Sequence, residues 1–344
     1  MNSKRLLMVA AFASVIGTPS CSESPDARNE VVVYSSVDEI FARPIAERFE
    51  RETGIRVRLV PDTEETKSTG LLNRLIAEKT RPQADVFWSG DPVRAAILKS
   101  RGISAPYRSP EAAGLPEMYS DADGYWTAFS ARARILIYNT RLVAERDRPE
   151  SIMDLIDPRF SRRAAIANPL FGTTSMHAAA IFQVLGEERA RAFFEQFIEN
   201  GGAILSSNGE VRRRVAAGDF AIGVTDTDDF NVAFLENRPV RAVFPDQDGM
   251  GTLVIPNATV LIAGAPNPAE GERFIDFLLR PEIEQALAES EAAQIPLRPS
   301  VDAPSYVTRL SEIRPMGVNY TTLAEELNSL STGFLADWVA RHGQ

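Results

Sequence analysis

Cysteine occurs once in the 344 residues, at Cys21, so no intrachain disulfide can form. Histidine occurs twice, at His177 and His342, too little material for a His-rich zinc site or a His-based catalytic triad. Positive charge is in deficit: 37 Lys and Arg against 47 Asp and Glu leave a formal net charge of −10. Nucleic-acid phosphates need a basic surface, so that class of partner is excluded, and adhesion to acidic lipid by charge is disfavoured too. The acidity itself serves solubility. Beyond the N-terminus no apolar run approaches the ~20 residues that cross a bilayer. The chain also lacks a Gly-x-Ser-x-Gly elbow, a His-Glu-x-x-His helix, a P-loop and the Rossmann glycine fingerprint.

What is present is ordinary globular material: 44% hydrophobic and 24% charged residues, in a length that suits two domains. The first residues read MNSKRLLMVAAFASVIGTPSCSES. Lys4 and Arg5 make a positive start, Leu6 to Ile16 an apolar stretch of signal-peptide length, and Gly17 to Ser20 a small-residue cleavage region. Residues 1–20 are therefore expected to be a signal peptide. Cys21 follows directly, as in a bacterial lipoprotein signal, although Thr18 departs from the usual aliphatic residue; a plain secretory signal is the alternative. Residues 21–29 are polar and fit a tether.

From Val31 onward the pattern alternates strand and helix. EVVVYSS reads as a buried strand, IFARPIAERFERETG as a helix stopped by Gly54, IRVRLVP as a strand, GLLNRLIAEKTRP as a helix, ADVFWSGDP as a strand and VRAAILKSRG as a helix. Such alternation implies an α/β fold with a mainly parallel sheet covered on both faces. Two long extended segments follow, YWTAFSARARILIYNT and GTLVIPNATVLIAG, with a second α/β set between them. One chain thus starts one lobe, crosses to build another and crosses back. The expected division is 30–127 with about 257–300 for the first lobe, 128–256 for the second, and 301–344 as packed C-terminal helices.

In this order the segments VVVYSSVDEIFARPIAERFERETGI, ADVFWSGDP, ARARILIYNT, NPLFGTTSMH, GDFAIGVTDTDDFN and NPAEGERFIDFLLRPEIEQALAES carry a likeness to a known family. Over about residues 30–300 the chain resembles the bacterial periplasmic solute-binding proteins of the ferric-iron-binding type. The resemblance implies a two-lobed periplasmic binding protein-like fold, two crossover strands, closure around a ligand and delivery to an ABC importer permease in the inner membrane. It also implies iron held by two adjacent tyrosines of the second lobe. Here that loop reads Thr225-Asp226-Thr227-Asp228-Asp229-Phe230, without a tyrosine.

Ligands of open α/β sheets bind at the carboxyl ends of strands, and four loops qualify. Ser35 and Ser36 follow the first strand; their hydroxyls could hold an oxyanion or cap a helix. Ser89, Gly90 and Asp91 follow the third; Gly90 permits close backbone approach, and Asp91 before Pro92 reads first as a helix cap. Trp88 walls the cleft or fills the core. Gly172, Thr173 and Thr174 open a helix and form an anion cradle, with His177 one turn further in and structural. Asp226, Asp228 and Asp229, with Thr225 and Thr227, crowd three carboxylates into four residues. They would ligate a hard cation, or accept hydrogen bonds from hydroxyls or an ammonium, or form a solvated turn. Arg132 and Arg134 alternate along the first crossover; one facing the cleft would pair with a ligand anion or with the aspartates. Tyr138 reads as core.

The leading expectation is a binding protein, not an enzyme, without a cofactor beyond a metal bound as ligand, and monomeric. Its ligand is ferric iron or another hard metal with a synergistic anion, or else a small organophosphate or phosphorylated sugar. A secreted metal-dependent hydrolase using the aspartates is the competing class.

Overall fold

The computed structural model describes residues 29–62 and 69–343. The expected signal peptide, Cys21 and the tether up to residue 28 lie outside the described residues. No helix among the described residues is long and apolar enough to cross a membrane.

Three strand–helix pairs open the fold: β1 (Glu30–Ser35) and α1 (Glu39–Thr53), β2 (Arg56–Pro61) and α2 (Thr69–Ala77), β3 (Val86–Ser89) and α3 (Pro92–Ser100). They align in parallel in the order β2-β1-β3. The valine run of β1 explains its central place. Val31 and Val33 enter one core with Phe41, Ile45 and Phe49 of α1, while Val32 and Tyr34 enter the other with Leu71, Leu75 and Phe87. Successive strand side chains point to opposite faces, so a strand covered on both sides must be apolar throughout. The four-residue spacing of Phe41, Ile45 and Phe49 gives α1 its buried stripe, and Gly54, at φ 72°, ends the helix with its N–H on the Glu50 carbonyl.

A short β4 (Ser104–Ala105) precedes the long β5 (Thr127–Asn139). The second set comprises β6 (Ala164–Ala167), α4 (Gly172–Leu185), α5 (Glu187–Glu199), β7 (Ala203–Leu205), α6 (Asn208–Ala217), β8 (Ile222–Asp226), α7 (Thr227–Leu235) and β9 (Val240–Val243). The chain returns through β10 (Val254–Ile262), adds α8 (Pro268–Leu278) and α9 (Pro281–Glu289), and ends in α10 (Tyr320–Thr332) and α11 (Phe334–His342). The second set repeats the two-sided burial: Ile135, Ile137, Ala165 and Ala167 pack toward α6 and α7, whereas Leu136, Tyr138, Ala164 and Ile166 pack toward α4 and α5.

One sheet runs through both sets, in the order β2-β1-β3-β10-β5-β8-β6-β7. Its two crossovers are β5 and β10. The first half of β5 pairs antiparallel with β10, and from Arg134 onward it pairs with β8 and then β9. At the changeover Ser130 is an extra residue, because Pro256 faces Ala131 and Asn257 faces Phe129. Ser130 takes φ 38°, a bulge that bends the strand between the two sets. The last helices brace this joint: α10 packs on α3 and α4, the Tyr320 hydroxyl donates to the Val254 carbonyl at 3.0 Å, and Trp338 of α11 meets Phe194 of α5 edge-on.

Three features differ from the sequence reading. β4 and β9 were not foreseen, being too short to show a period. The stretch Asp226–Phe230, read as a loop, is the end of β8 and the first turn of α7; Asp and Thr are favoured at such starts, and the apolar spacing resumes behind them.

The bend at Ser130 is pinned by a buried ion pair. Glu284 of α9 accepts the Ser130 N–H at 3.1 Å and the Leu297 N–H at 2.8 Å, and pairs with Arg298 at 2.7 Å. Removing one partner of such a pair strands a buried charge, at about 3–5 kcal/mol. Glu284→Ala is therefore expected to lower stability to urea by about 3–5 kcal/mol. A loss below about 1 kcal/mol would show that the carbonyls of Glu111, Ala113 and Leu279 satisfy Arg298 without Glu284.

Candidate functional site

The strand ends meet around a cleft of about 710 Å³ that opens to solvent. One wall is the Ser36–Phe41 stretch; the other is built from Asn168–Thr174, Ser206–Asn208 and Asp226–Asp229, with Arg132 between them. Four helices, α1, α4, α6 and α7, begin at this cleft. Each helix start carries unpaired N–H groups and the positive end of a dipole.

The four starts are not equivalent. α6 is capped: Ser207 Oγ accepts the Glu210 N–H at 3.1 Å, and Glu210 accepts the Ser206 N–H at 3.0 Å. α4 is not. Its capping position is Phe171, which has no side-chain acceptor, and the N–H groups of Gly172, Thr173 and Thr174 find no acceptor among the described residues. Gly172 sits at φ 54° with open space where a Cβ would be. An L side chain is strained at that φ, so glycine is what allows the turn to present its N–H groups.

Under this cradle lies Arg134, fully buried on β5. It donates to Asp226 Oδ1 at 2.8 Å, to Thr173 Oγ1 and Asn208 Oδ1 at 3.0 Å, and to Thr174 Oγ1 at 3.2 Å. Thr173 in turn donates to Asp226 Oδ2 at 2.6 Å. The hydroxyls of both threonines are thus already engaged, and the backbone N–H groups of the α4 turn are the donors it has left for the cleft. His177 lies alongside, its Nδ1 3.5 Å from Arg134 Nε. Burial, then the Arg134 charge, depresses its pKa to about 3, so the ring is neutral.

Arg132, two residues earlier, lies on the same face of β5. It is only 7% exposed, with Nε 3.5 Å from Asp226 and 3.9 Å from Asp228. No hydrogen bond to a described residue uses its Nη groups. Gly90 makes room for it: a Cβ at that position would lie 3.2 Å from Arg132 Nη2.

The carboxylates divide as well. Burial pushes the Asp226 pKa up, but Arg134 and Arg132 outweigh it and hold the group below the usual carboxylate range. Asp228 goes the other way, to about 8: burial raises it, Arg132 opposes, and Asp226, Asp229 and Asp38 add like-charge repulsion. Oxygens of Asp226, Asp228 and Asp229 lie within 4.8 Å of one another.

Of the residues singled out from the sequence, the structure brings Ser36, Arg132, Gly172, Thr173, Thr174, Asp226, Asp228 and Asp229 to the cleft wall. The others sit behind it. Ser35 Oγ accepts the Val37 N–H at 3.2 Å, Ser89 Oγ donates to the Asp91 carbonyl at 2.6 Å, and Asp91 caps α3 through the Arg94 N–H at 3.0 Å. Gly90 shapes the floor through Arg132. Thr225 donates to Asp229 at 2.9 Å, and Thr227 Oγ1 accepts the Ala133 N–H at 3.2 Å. The sequence reading missed Asp38, Ser206, Ser207 and Asn208. Ser207 and Glu210 form a capping signature after the short strand AIL, so the strand-end rule already pointed there.

Two α/β sets joined by two long strands around a polar cleft define the periplasmic binding protein fold. Iron-bound HitA of Pseudomonas aeruginosa shares it with a TM-score of 0.79 at 24% identity, over 88% of this chain and 98% of that one. The chain belongs to the bacterial extracellular solute-binding proteins, whose family model matches residues 81–316, and is accordingly a binding protein and not an enzyme. Among relatives, iron uptake protein A1 of Synechocystis is 28% identical over 94% of this chain and 98% of its own length. A provisionally assigned 2-aminoethylphosphonate-binding periplasmic protein of Salmonella typhimurium is 29% identical over 84% of this chain and 83% of its own. No tyrosine lines the cleft among the described residues.

The two aspartates are expected to respond in opposite ways. Asp226→Ala leaves Arg134 buried without its counter-charge and should cost about 3–5 kcal/mol. For Asp228 the folded pKa lies above the unfolded one, so the folded state binds the extra proton and stability falls as pH rises from the carboxylate range to about 8. Asp228→Asn removes that loss. Its melting temperature should exceed that of the parent by a margin that widens between about pH 5 and about pH 8. Equal margins at both ends would refute the assignment.

Proposed function

We propose that this protein captures a small organic phosphate or phosphonate that also carries an ammonium group, and delivers it to an ABC import permease from a lipid anchor on Cys21. The observation that carries the ligand class is Arg132. A guanidinium that is buried, faces the cleft and spends its Nη donors on none of the described residues matches a tetrahedral oxyanion, and the uncapped start of α4 supplies backbone donors beside it. Asp228 and Asp229 then face the rest of the ligand, where an ammonium would relieve their repulsion. The assignment of the Salmonella typhimurium relative to 2-aminoethylphosphonate, a molecule with both groups, supports this reading.

The rival reading is a hard metal with a synergistic anion, favoured by the three clustered carboxylates and by the iron-named relatives. Two features weigh against it. Both oxygens of Asp226 are engaged by Arg134 and Thr173, and the Arg132 charge stands within 3.9 Å of Asp228, where it would repel a cation.

Calorimetric titration of chelator-treated protein separates the two. Binding of 2-aminoethylphosphonate is expected, with no stoichiometric uptake of iron from ferric citrate. Arg132→Gln should weaken phosphonate binding at least ~30-fold, as loss of a buried charged contact does. Stoichiometric iron with no response to the phosphonate would overturn the proposal.

A further inference from the structure

Beyond the inner cleft lies an outer groove open to solvent. The two share Asp38, Phe41, Ser206, Ser207, Asp228 and Asp229, so they form one continuous space. What the outer groove adds is one face of α6: Gly209, Arg212 and Arg213, at the three- and four-residue spacing that aligns side chains on a helix.

These arginines differ from their neighbour. Arg214 is taken up by Asp219 at 2.5 Å and Glu210 at 4.0 Å on the outer surface. Arg212 and Arg213 pair with no carboxylate among the described residues, although the charge of Arg213 is felt by Glu210. Opposite signs meet over Gly209. The point where its Cβ would stand is 3.6 Å from Asp229 Oδ1 and 3.7 Å from Arg213 Nη1. An anionic and a cationic side chain therefore flank one point, with the Ser207 hydroxyl 3.8 Å from it.

From this juxtaposition we infer that the ligand is an α-amino acid whose side chain ends in a phosphoryl or phosphonyl group, with Arg212 and Arg213 binding its α-carboxylate. The inference rests on the phosphonate reading above. An α-amino acid head carries ammonium and carboxylate on one carbon, so its receptor must set an anion and a cation side by side, as Asp229 and Arg213 are set. The protein charges run from the Arg132 cradle through Asp228 and Asp229 to Arg212 and Arg213. The proposed ligand runs in the complementary order: phosphonate, ammonium, carboxylate. Arg212 and Arg213 thereby select among phosphonates by the presence of that last group.

Two compounds isolate the claim, because 2-amino-3-phosphonopropionate is 2-aminoethylphosphonate with a carboxylate on the amine-bearing carbon. Both are titrated into the full protein and into a variant carrying Arg212→Gln with Arg213→Gln. The parent should bind the amino acid ~10–100-fold tighter, the effect of one charge-assisted contact, and in the variant the ratio of the two affinities should fall to about one. Equal affinities in the parent, or a ratio the variant leaves unchanged, would overturn the amino-acid inference and leave the phosphonate reading standing. Failure of the parent to bind either compound would overturn both.

Discussion

The site depends on the burial of Arg134. A guanidinium without solvent must be matched by a carboxylate and by acceptors for its remaining N–H groups, or the fold bears the full cost of an isolated charge. The acceptors come from three separate elements: Asp226 at the end of β8, Thr173 and Thr174 at the start of α4 with His177 one turn further in, and Asn208 at the start of α6. Satisfying one buried side chain therefore gathers the helix starts that make the cleft wall. The same demand fixes what each group has left to offer. Thr173 and Thr174 commit their hydroxyls to Asp226 and Asn208, so the donors the α4 turn has left are its backbone N–H groups.

Arg132 makes the complementary case. Strand periodicity puts it on the same face as Arg134, two residues closer to the Ser130 bulge, where β5 is leaving one sheet half for the other. At that point it has carboxylates within 4 Å on one side and the bare backbone of Gly90 on the other. One arginine holds the wall together. The other stands between the two walls with donors to spare. A residue in that position is sensitive to how far the walls stand apart.

Much of this architecture was legible in the sequence. The valine run of β1, the spacing of Phe41, Ile45 and Phe49, and the glycine stop at Gly54 are local signals that tertiary packing reinforces. The crossovers β5 and β10 could be read because thirteen and nine extended residues exceed what an ordinary strand needs. The strand-end rule pointed to loops that the structure gathers at the cleft. It could not say which hydroxyls face up and which face down. That Asp226 is spent on Arg134 while Asp228 is not depends on a partner ninety-two residues away, and no local pattern carries that information. The arginines of α6 escaped notice because NGEVRRRVAAG reads as a solvated basic face; only the fold turns Arg212 and Arg213 toward the cleft and Arg214 away from it.

The charge balance of the cleft argues for the kind of ligand it takes. Asp226, Asp228 and Asp229 lie at or just inside the start of α7, where a helix dipole favours carboxylates, and a purely structural account would end there. That account predicts a depressed pKa for all of them. Asp226 obeys it, helped by two arginines; Asp228 does not, because burial and the neighbouring Asp226, Asp229 and Asp38 outweigh both the dipole and Arg132. Asp226 is matched by Arg134 and Arg132, whereas Asp228 stands among Asp226, Asp229 and Asp38 with Arg132 3.9 Å away. The uncapped α4 turn, at the same time, asks for an anion. A bare cation answers the first demand and an inorganic oxyanion the second. A single zwitterion answers both.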